Sequence, residues 1–265
     1  MQLQTFGARC LGAAWFFMAA GSVLAQEKGS APASDLVPTS EWRVQLTPYV
    51  WGTGLSGSVR PVRNGPTGTV DESFRDVLKD LDAVFFLNAI VRKERLVMSF
   101  DLMHASLSKT AEVAVAPGIA LGGQAKMRQR SWTALAGYNW QASPRSSWDW
   151  LAGVRHWSVR ATVRTDLLSF SREDTVSKSA TDPVVAARWR YQWDDRWSSL
   201  AYVDIGGRSG GSQRTLQTLL TVNYALQKDW SVSAGYRYLN VKYDKEGTRL
   251  DFSQQGPVIG VSYRF

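Results

Sequence analysis

From Trp42 onward, apolar and polar residues alternate with a period of two, the signature of strands whose two faces meet different surroundings. Over 131–140 the alternation puts Trp132, Ala134, Ala136, Tyr138 and Trp140 on one face and Ser131, Thr133, Gly137 and Asn139 on the other, with Leu135 the exception. The same division recurs where Val185, Ala187, Trp189, Tyr191 and Trp193 oppose Arg188, Arg190 and Gln192. It recurs again where Trp230, Val232, Ala234, Tyr236 and Tyr238 oppose Ser231, Ser233, Gly235 and Arg237. Ten such segments can be read, at about 42–54, 82–93, 95–108, 124–141, 148–163, 182–193, 196–208, 214–227, 230–243 and 254–265. Tight connections at Lys93-Glu94, 142–147, Asp194-Asp195 and Lys228-Asp229 alternate with longer ones at about 55–81, 109–123, 164–181, 209–213 and 244–253. The pattern predicts an all-β, antiparallel up-and-down barrel of ten strands, with eight as the alternative.

The apolar face is edged by aromatic residues. Trp132, Tyr138, Trp140, Trp148, Trp150, Trp189, Trp193, Trp197 and Trp230 lie at strand ends, most of them beside the tight connections. A soluble sandwich would bury its apolar face and has no need of rings collected at strand ends. Two interfacial girdles across a thin hydrocarbon layer account for them. After the N-terminal region no segment has the roughly 18 to 20 uninterrupted apolar residues of a membrane helix, so a membrane crossing here must be made by strands. A closed barrel allows this, because every backbone donor and acceptor in the wall is paired.

The N-terminus agrees with export. Arg9 precedes an apolar run from Cys10 to Leu24 that ends in Val23-Leu24-Ala25, a small-residue cleavage pattern. Residues 1–25 are expected to be a cleaved signal peptide, 26–40 a flexible Ser-, Ala- and Pro-rich periplasmic leader, and 41–265 the outer-membrane barrel. Cleavage removes Cys10, the single cysteine, and with it disulfides, thiolate catalysis and cysteine-ligated metals. It also removes Arg9, which takes the formal charge from +8 to +7. A basic exported chain points to anionic lipid or small anions, with nucleic acid excluded as a partner. No cofactor motif or metal-ligand spacing is present; Asp244, Glu246 and Asp251 are spaced too loosely for a calcium loop.

Some stretches resemble a known group. The ending GPVIGVSYRF, with Tyr263 and Phe265, resembles the terminal strand signal that hands outer-membrane proteins to the barrel-insertion machinery. The motifs WRVQLTPYVWGTGLSGSV, SFRDVLKDLDAVFF, DWLAGVRHW and DPVVAARWRYQW…VDIGG resemble small proteobacterial outer-membrane barrels of the OmpA-like or OmpW-like group. The resemblance implies fold and location; the group mostly lacks an assigned activity, so it implies no chemistry.

Candidate functional residues fall into four sets. Arg43, Arg92, Arg155, Arg188, Arg190, Arg237 and Arg264 share the lumen face with fewer acids, Asp101, Asp149 and Asp204. They form either a paired, filled interior or a narrow path for anions; a ten-stranded barrel is only slightly wider than one filled by its side chains. Lys126, Arg128, Arg130 and Arg160 are expected on the outer face, level with lipopolysaccharide phosphates. Phe74, Val77, Leu78 and Leu81 have helical spacing, capped by Asp71 or Ser73, and predict a short amphipathic helix near the mouth. His104-Ala105-Ser106 and His156-Trp157-Ser158 each place a histidine and a serine on one face, and resemble the motif of lipid A deacylases. No acid stands on that face to complete either dyad. An omptin-like protease would need acids and a histidine gathered at the mouth. The expected role is therefore non-enzymatic: a structural or surface-interacting barrel contacting outer-membrane lipids and lipopolysaccharide, with a narrow anion-preferring channel as the alternative and a lipid A-modifying hydrolase as a distant one.

Overall fold

The alternating segments pair into one antiparallel ladder that closes on itself. The computed structural model describes residues 38–60, 68–79, 81–116, 119–167, 170–207, 213–245 and 248–265. The expected signal peptide at 1–25, and all of the leader except residues 38–40, lie outside the described residues. In chain order the elements are β1 (Arg43–Trp51), β2 (Gly54–Arg60), β3 (Gly68–Glu72), α1 (Phe74–Lys79), β4 (Leu81–Lys93), β5 (Leu96–Ala116), β6 (Ile119–Ser143), β7 (Ser146–Leu167), β8 (Phe170–Gln192), β9 (Trp197–Gly207), β10 (Gln213–Ala225), β11 (Trp230–Lys245) and β12 (Thr248–Arg264).

The barrel wall is β1 together with β4 through β12, ten strands rather than eight. Each pairs with the next in sequence, and β12 returns to β1 with Arg264 opposite Gln45 and Gly260 opposite Tyr49. β2 continues beyond β1 along the same strand, with Ser58 opposite Asp251, and folds back as β3. Among the described residues no helix is long and apolar enough to cross a membrane.

One end of the barrel has short connections, at 93–96, 143–146, 192–197 and 225–230, together with the start of β1 and the end of β12. At the other end the expected long loops at 109–123 and 164–181 are largely strand. β5 pairs with β6 out to Ala116 and Ile119, and β7 with β8 out to Leu167 and Phe170. The stretch Ala111–Gly123, with several small apolar residues, reads as a loop in the sequence, whereas 111–116 and 119–123 are strand. The backbone ladder needs no apolar face once neighbouring strands run on in register. β6 reaches 25 residues, well over twice the roughly 9–11 that a tilted strand needs to cross a bilayer. In the 244–253 connection, 244–245 and 248–253 are likewise strand, with Lys242 opposite Asp251.

The first long connection contains the expected helix. Ser73 caps α1: its Oγ donates to Asp76 Oδ2 at 2.6 Å, and the Asp76 amide donates back to the Ser73 carbonyl at 3.0 Å. The Asp76 amide also points at the Ser73 Oγ at 3.4 Å, the contact of an N-cap serine. The Phe74 ring lies over Gly52, where any side chain would collide with it. The helix thus rests against the junction of β1 and β2.

Candidate functional site

Period two decides what each strand sends into the lumen. Along β7 the inward residues are Ser147, Asp149, Leu151, Gly153, Arg155 and Trp157, and they pass through successive layers of the interior. Nearest the short connections is a charged layer around Asp149, which is fully buried. Arg92 grips it with Nη1 and Nη2 at 3.1 and 2.6 Å, and Asn139 donates to it at 2.6 Å. Arg188 Nε and Arg190 Nη2 stand at 3.8 Å from the same carboxylate. Val97, Leu135, Leu151, Val184 and Ala186 pack as an apolar patch of the inner wall next to this layer. That places Leu135, the exception to the alternation, within the interior.

A second polar layer follows. Arg155 pairs with Asp204 through two hydrogen bonds of 2.9 and 2.6 Å and also donates to Thr133; Tyr202 adds a 2.7 Å bond to Asp204. Arg237 donates to Tyr49 at 2.6 Å and to Gln217 at 2.8 Å, while Tyr49 reaches Asp101 at 3.1 Å. Charged groups removed from water in this way are held by paired, multiply bonded partners. Beyond them, toward the long hairpins, Trp51, Phe86, Met103, Trp157, Leu239, Val241 and Val258 close together as an apolar layer. The Arg237 guanidinium covers the Trp51 ring at 4.9 Å and joins the polar and apolar layers.

All the arginines assigned to the lumen lie on inward positions. Arg92, Arg155, Arg188 and Arg237 are buried, whereas Arg43, Arg190 and Arg264 are half-buried toward the short-connection end. Asp101 and Asp204 join them as described. The sequence reading missed Tyr49 and Tyr202 as members of the network, and Trp51 and Trp157 as interior residues. Their parity signalled it: Trp157 is two residues from Arg155, and Trp51 two from Tyr49. An aromatic side chain suits a girdle and an interior equally, so residue type alone does not separate the two.

Cavities lie within the lumen among the described residues. One of about 140 Å³ is lined by Asn88, Leu135, Arg155, Arg188, Tyr202, Arg237 and their neighbours. A second of about 120 Å³ lies against it, sharing Gln45, Ile90, Leu200, Asn223 and Ser262, and is bordered by the exposed turn residues Asp195 and Arg196.

On the outer face the basic cluster is assembled by strand register. Arg128 stands opposite Arg160 across β6 and β7, with Lys126 opposite Thr162 and Arg130 opposite Ser158. All four basic residues are exposed, and among the described residues none meets a carboxylate within ion-pair distance. Below Arg130, Trp132 is exposed and stacks on His156 at 5.7 Å. His156 Nδ1 bonds Thr181 Oγ1 at 2.8 Å rather than an acid. His104 and Ser106 are also on this face, opposite Arg130 and Arg128.

Rings cluster around the short-connection end. Trp148 stacks between Trp150 and Trp189, Trp197 packs on Tyr224, and Tyr263 lies between Trp230 and Phe265. Tyr138, Trp140 and Trp193 are exposed beside them. Among the described residues no group of three His, Cys, Asp or Glu side chains is placed to hold a metal ion. Glu246, one of the loosely spaced loop acids, lies outside the described residues.

No protein-family model matches the chain. No curated protein matches it either. Among solved structures, the outer membrane protease OmpT from Escherichia coli is similar over 84% of this chain and 97% of that one, at 8% identity and a TM-score of 0.51. The chain has the fold of an outer-membrane β-barrel. The translocator domain of the autotransporter NalP from Neisseria meningitidis aligns over 84% of this chain and 88% of that one, at 11% identity and a TM-score of 0.47. Ail, the attachment invasion locus protein of Yersinia pestis, aligns over 85% and 99%, at 10% identity and a TM-score of 0.34. At such identities no residue role transfers, since function resides in sites placed on a fold.

Proposed function

We propose that the protein is a non-enzymatic barrel of the outer membrane that faces outward and engages lipopolysaccharide through Lys126, Arg128, Arg130 and Arg160. Export through the signal peptide at 1–25, and insertion directed by Tyr263 and Phe265, belong to the same reading, as does kinship with the small OmpA-like or OmpW-like barrels. Short turns conventionally face the periplasm and longer extensions the outside. That orientation lifts the paired extensions of β5 to β8 outward and sets the basic cluster just above Trp132.

The observation that carries the proposal is the adjacency of Lys126, Arg128, Arg130 and Arg160 on an exposed face without carboxylate partners among the described residues. Like charges side by side are unfavourable alone and favourable against phosphates, which accept charge-assisted hydrogen bonds from guanidinium groups. The alternative of an anion channel finds support in the lumen arginines. Against it stand their pairing with Asp149, Asp204 and Asp101 and the apolar layer at Trp51 and Trp157.

The test is thermal unfolding of the refolded protein in vesicles containing phosphorylated or dephosphorylated lipid A. The phosphorylated lipid is expected to stabilise the wild-type barrel. Arg128→Ala with Arg130→Ala should weaken that preference about tenfold or more, at roughly 1 kcal/mol for each basic residue at an anionic surface. Equal preference in the double variant would refute the proposal.

A further inference from the structure

We infer that the periplasm-side half of the lumen is a binding site for a small organic carboxylate, anchored on Arg188 and entered between the short turns. The site is separate from the outer basic cluster and does not depend on it.

The anchor follows from how unequally the buried arginines are satisfied. Arg155 is held by both oxygens of Asp204 and by Thr133, and Arg237 by Tyr49 and Gln217. Arg92 takes both oxygens of Asp149. Arg188 is 3% exposed, yet its one carboxylate contact is Asp149 at 3.8 Å, beyond hydrogen-bond reach, and its Nη1 has no hydrogen-bond partner among the described residues. A buried guanidinium left in that state is costly, and an anion relieves the cost. Arg188 lines the 140 Å³ cavity, so the space for that anion is beside it.

Charge in the surroundings points the same way. Seven arginines line the two cavities against Asp101 and Asp195, and counting the buried Asp149 and Asp204 still leaves the balance positive. The remaining wall selects the type of anion. Ile90, Leu135, Leu200, Leu219, Tyr202 and Val258 make much of the larger cavity apolar. A charged anchor facing an apolar wall fits a carboxylate with a short apolar body better than a fully hydrated inorganic ion. The volume accommodates about ten water-sized groups, which limits the ligand to a small molecule.

Topology makes the site a dead end. The second cavity reaches the exposed turn residues Asp195 and Arg196 at the periplasmic end. At the far end Trp51, Phe86, Met103, Trp157, Leu239, Val241 and Val258 pack together as one buried apolar cluster. A solute therefore enters and leaves on the same side, as it does in a receptor or reservoir.

Benzoate is the probe, with sodium chloride at equal ionic strength as control, titrated into the detergent-refolded protein by calorimetry and thermal unfolding. Benzoate is expected to bind saturably and raise the Tm, since a ligand of the folded state stabilises it by mass action. Arg188→Met should weaken binding about tenfold or more through loss of a charge-assisted bond, while Asp149 keeps Arg92. Leu200→Trp fills the cavity with the arginine in place and should also abolish binding, which covers the case in which Arg188→Met fails to fold. Arg128→Ala with Arg130→Ala should leave benzoate binding unchanged, so that failure here is distinguishable from failure of the lipopolysaccharide proposal. Benzoate behaving as chloride does, or binding both lumen variants as tightly as it binds the wild type, would overturn the inference.

Discussion

Asp149 shows how much of the interior can depend on one side chain. Arg92 and Asn139 bond directly to it, Arg188 and Arg190 lie at 3.8 Å from it, and the carboxylate itself is fully buried. Removing one partner of a buried pair leaves the other charged and uncompensated, at a cost of about 3–5 kcal/mol. Asp149→Asn keeps the shape and removes the charge. It should lower the stability of the refolded barrel by about that amount, read from the urea midpoint at unchanged m-value. Arg188→Met, which leaves Asp149 paired with Arg92, should cost far less. Equal losses in the two variants would mean that the layer is held by packing rather than by this carboxylate.

At the scale of elements, the stability of α1 depends on pH through Asp76. The Ser73 hydroxyl, and then the Lys79 ammonium, hold the exposed Asp76 carboxyl below the usual carboxylate range. A depressed value in the folded state means that the interaction contributes fully above the ordinary carboxylate pKa of about 4 and is lost as pH falls through the lower folded value. Amide exchange in 74–79 is therefore expected to be more protected at pH 7 than at pH 3, after correction for intrinsic rates. Ser73→Ala should remove much of that difference. A wild-type helix equally protected at both pH values would show that the Phe74 contact on Gly52, not the cap, holds α1 in place.

For the whole barrel, the decisive feature is the order of layers along the lumen: charged, apolar patch, charged, apolar closure. Conduction would have to pass the cluster around Trp51 and Trp157, both nearly fully buried. Planar-bilayer recordings of the refolded protein are expected to be silent. Trp51→Ala with Trp157→Ala should introduce conductance steps. It should also cost stability, at about 3–5 kcal/mol for each buried tryptophan removed. Steps from the wild-type protein, lowered by neutralising Arg188 or Arg237, would instead establish the anion-channel alternative.

The strand count, the facing of nearly every wall residue and the aromatic edges were legible in the sequence, because a strand carries its two environments as a period-two pattern. The helix at 74–79 was legible for the same reason, its apolar spacing and its cap being local. The lengths of β5 to β8 were not, because outside the membrane the ladder persists through backbone pairing, which leaves little trace in side-chain type. The contents of the lumen were legible only in part. Parity placed Arg155, Arg188 and Asp149 inside, yet it is equally compatible with a water-filled path and with a filled core. Which arginine meets which aspartate depends on the stagger between strands far apart in the chain, as when Arg237 on β11 reaches Tyr49 on β1. Barrel closure sets that stagger, and with it the apolar layer and the unequal satisfaction of Arg188. A local pattern records which surroundings a residue faces; the identity of its partner exists only once the ends of the sheet have met.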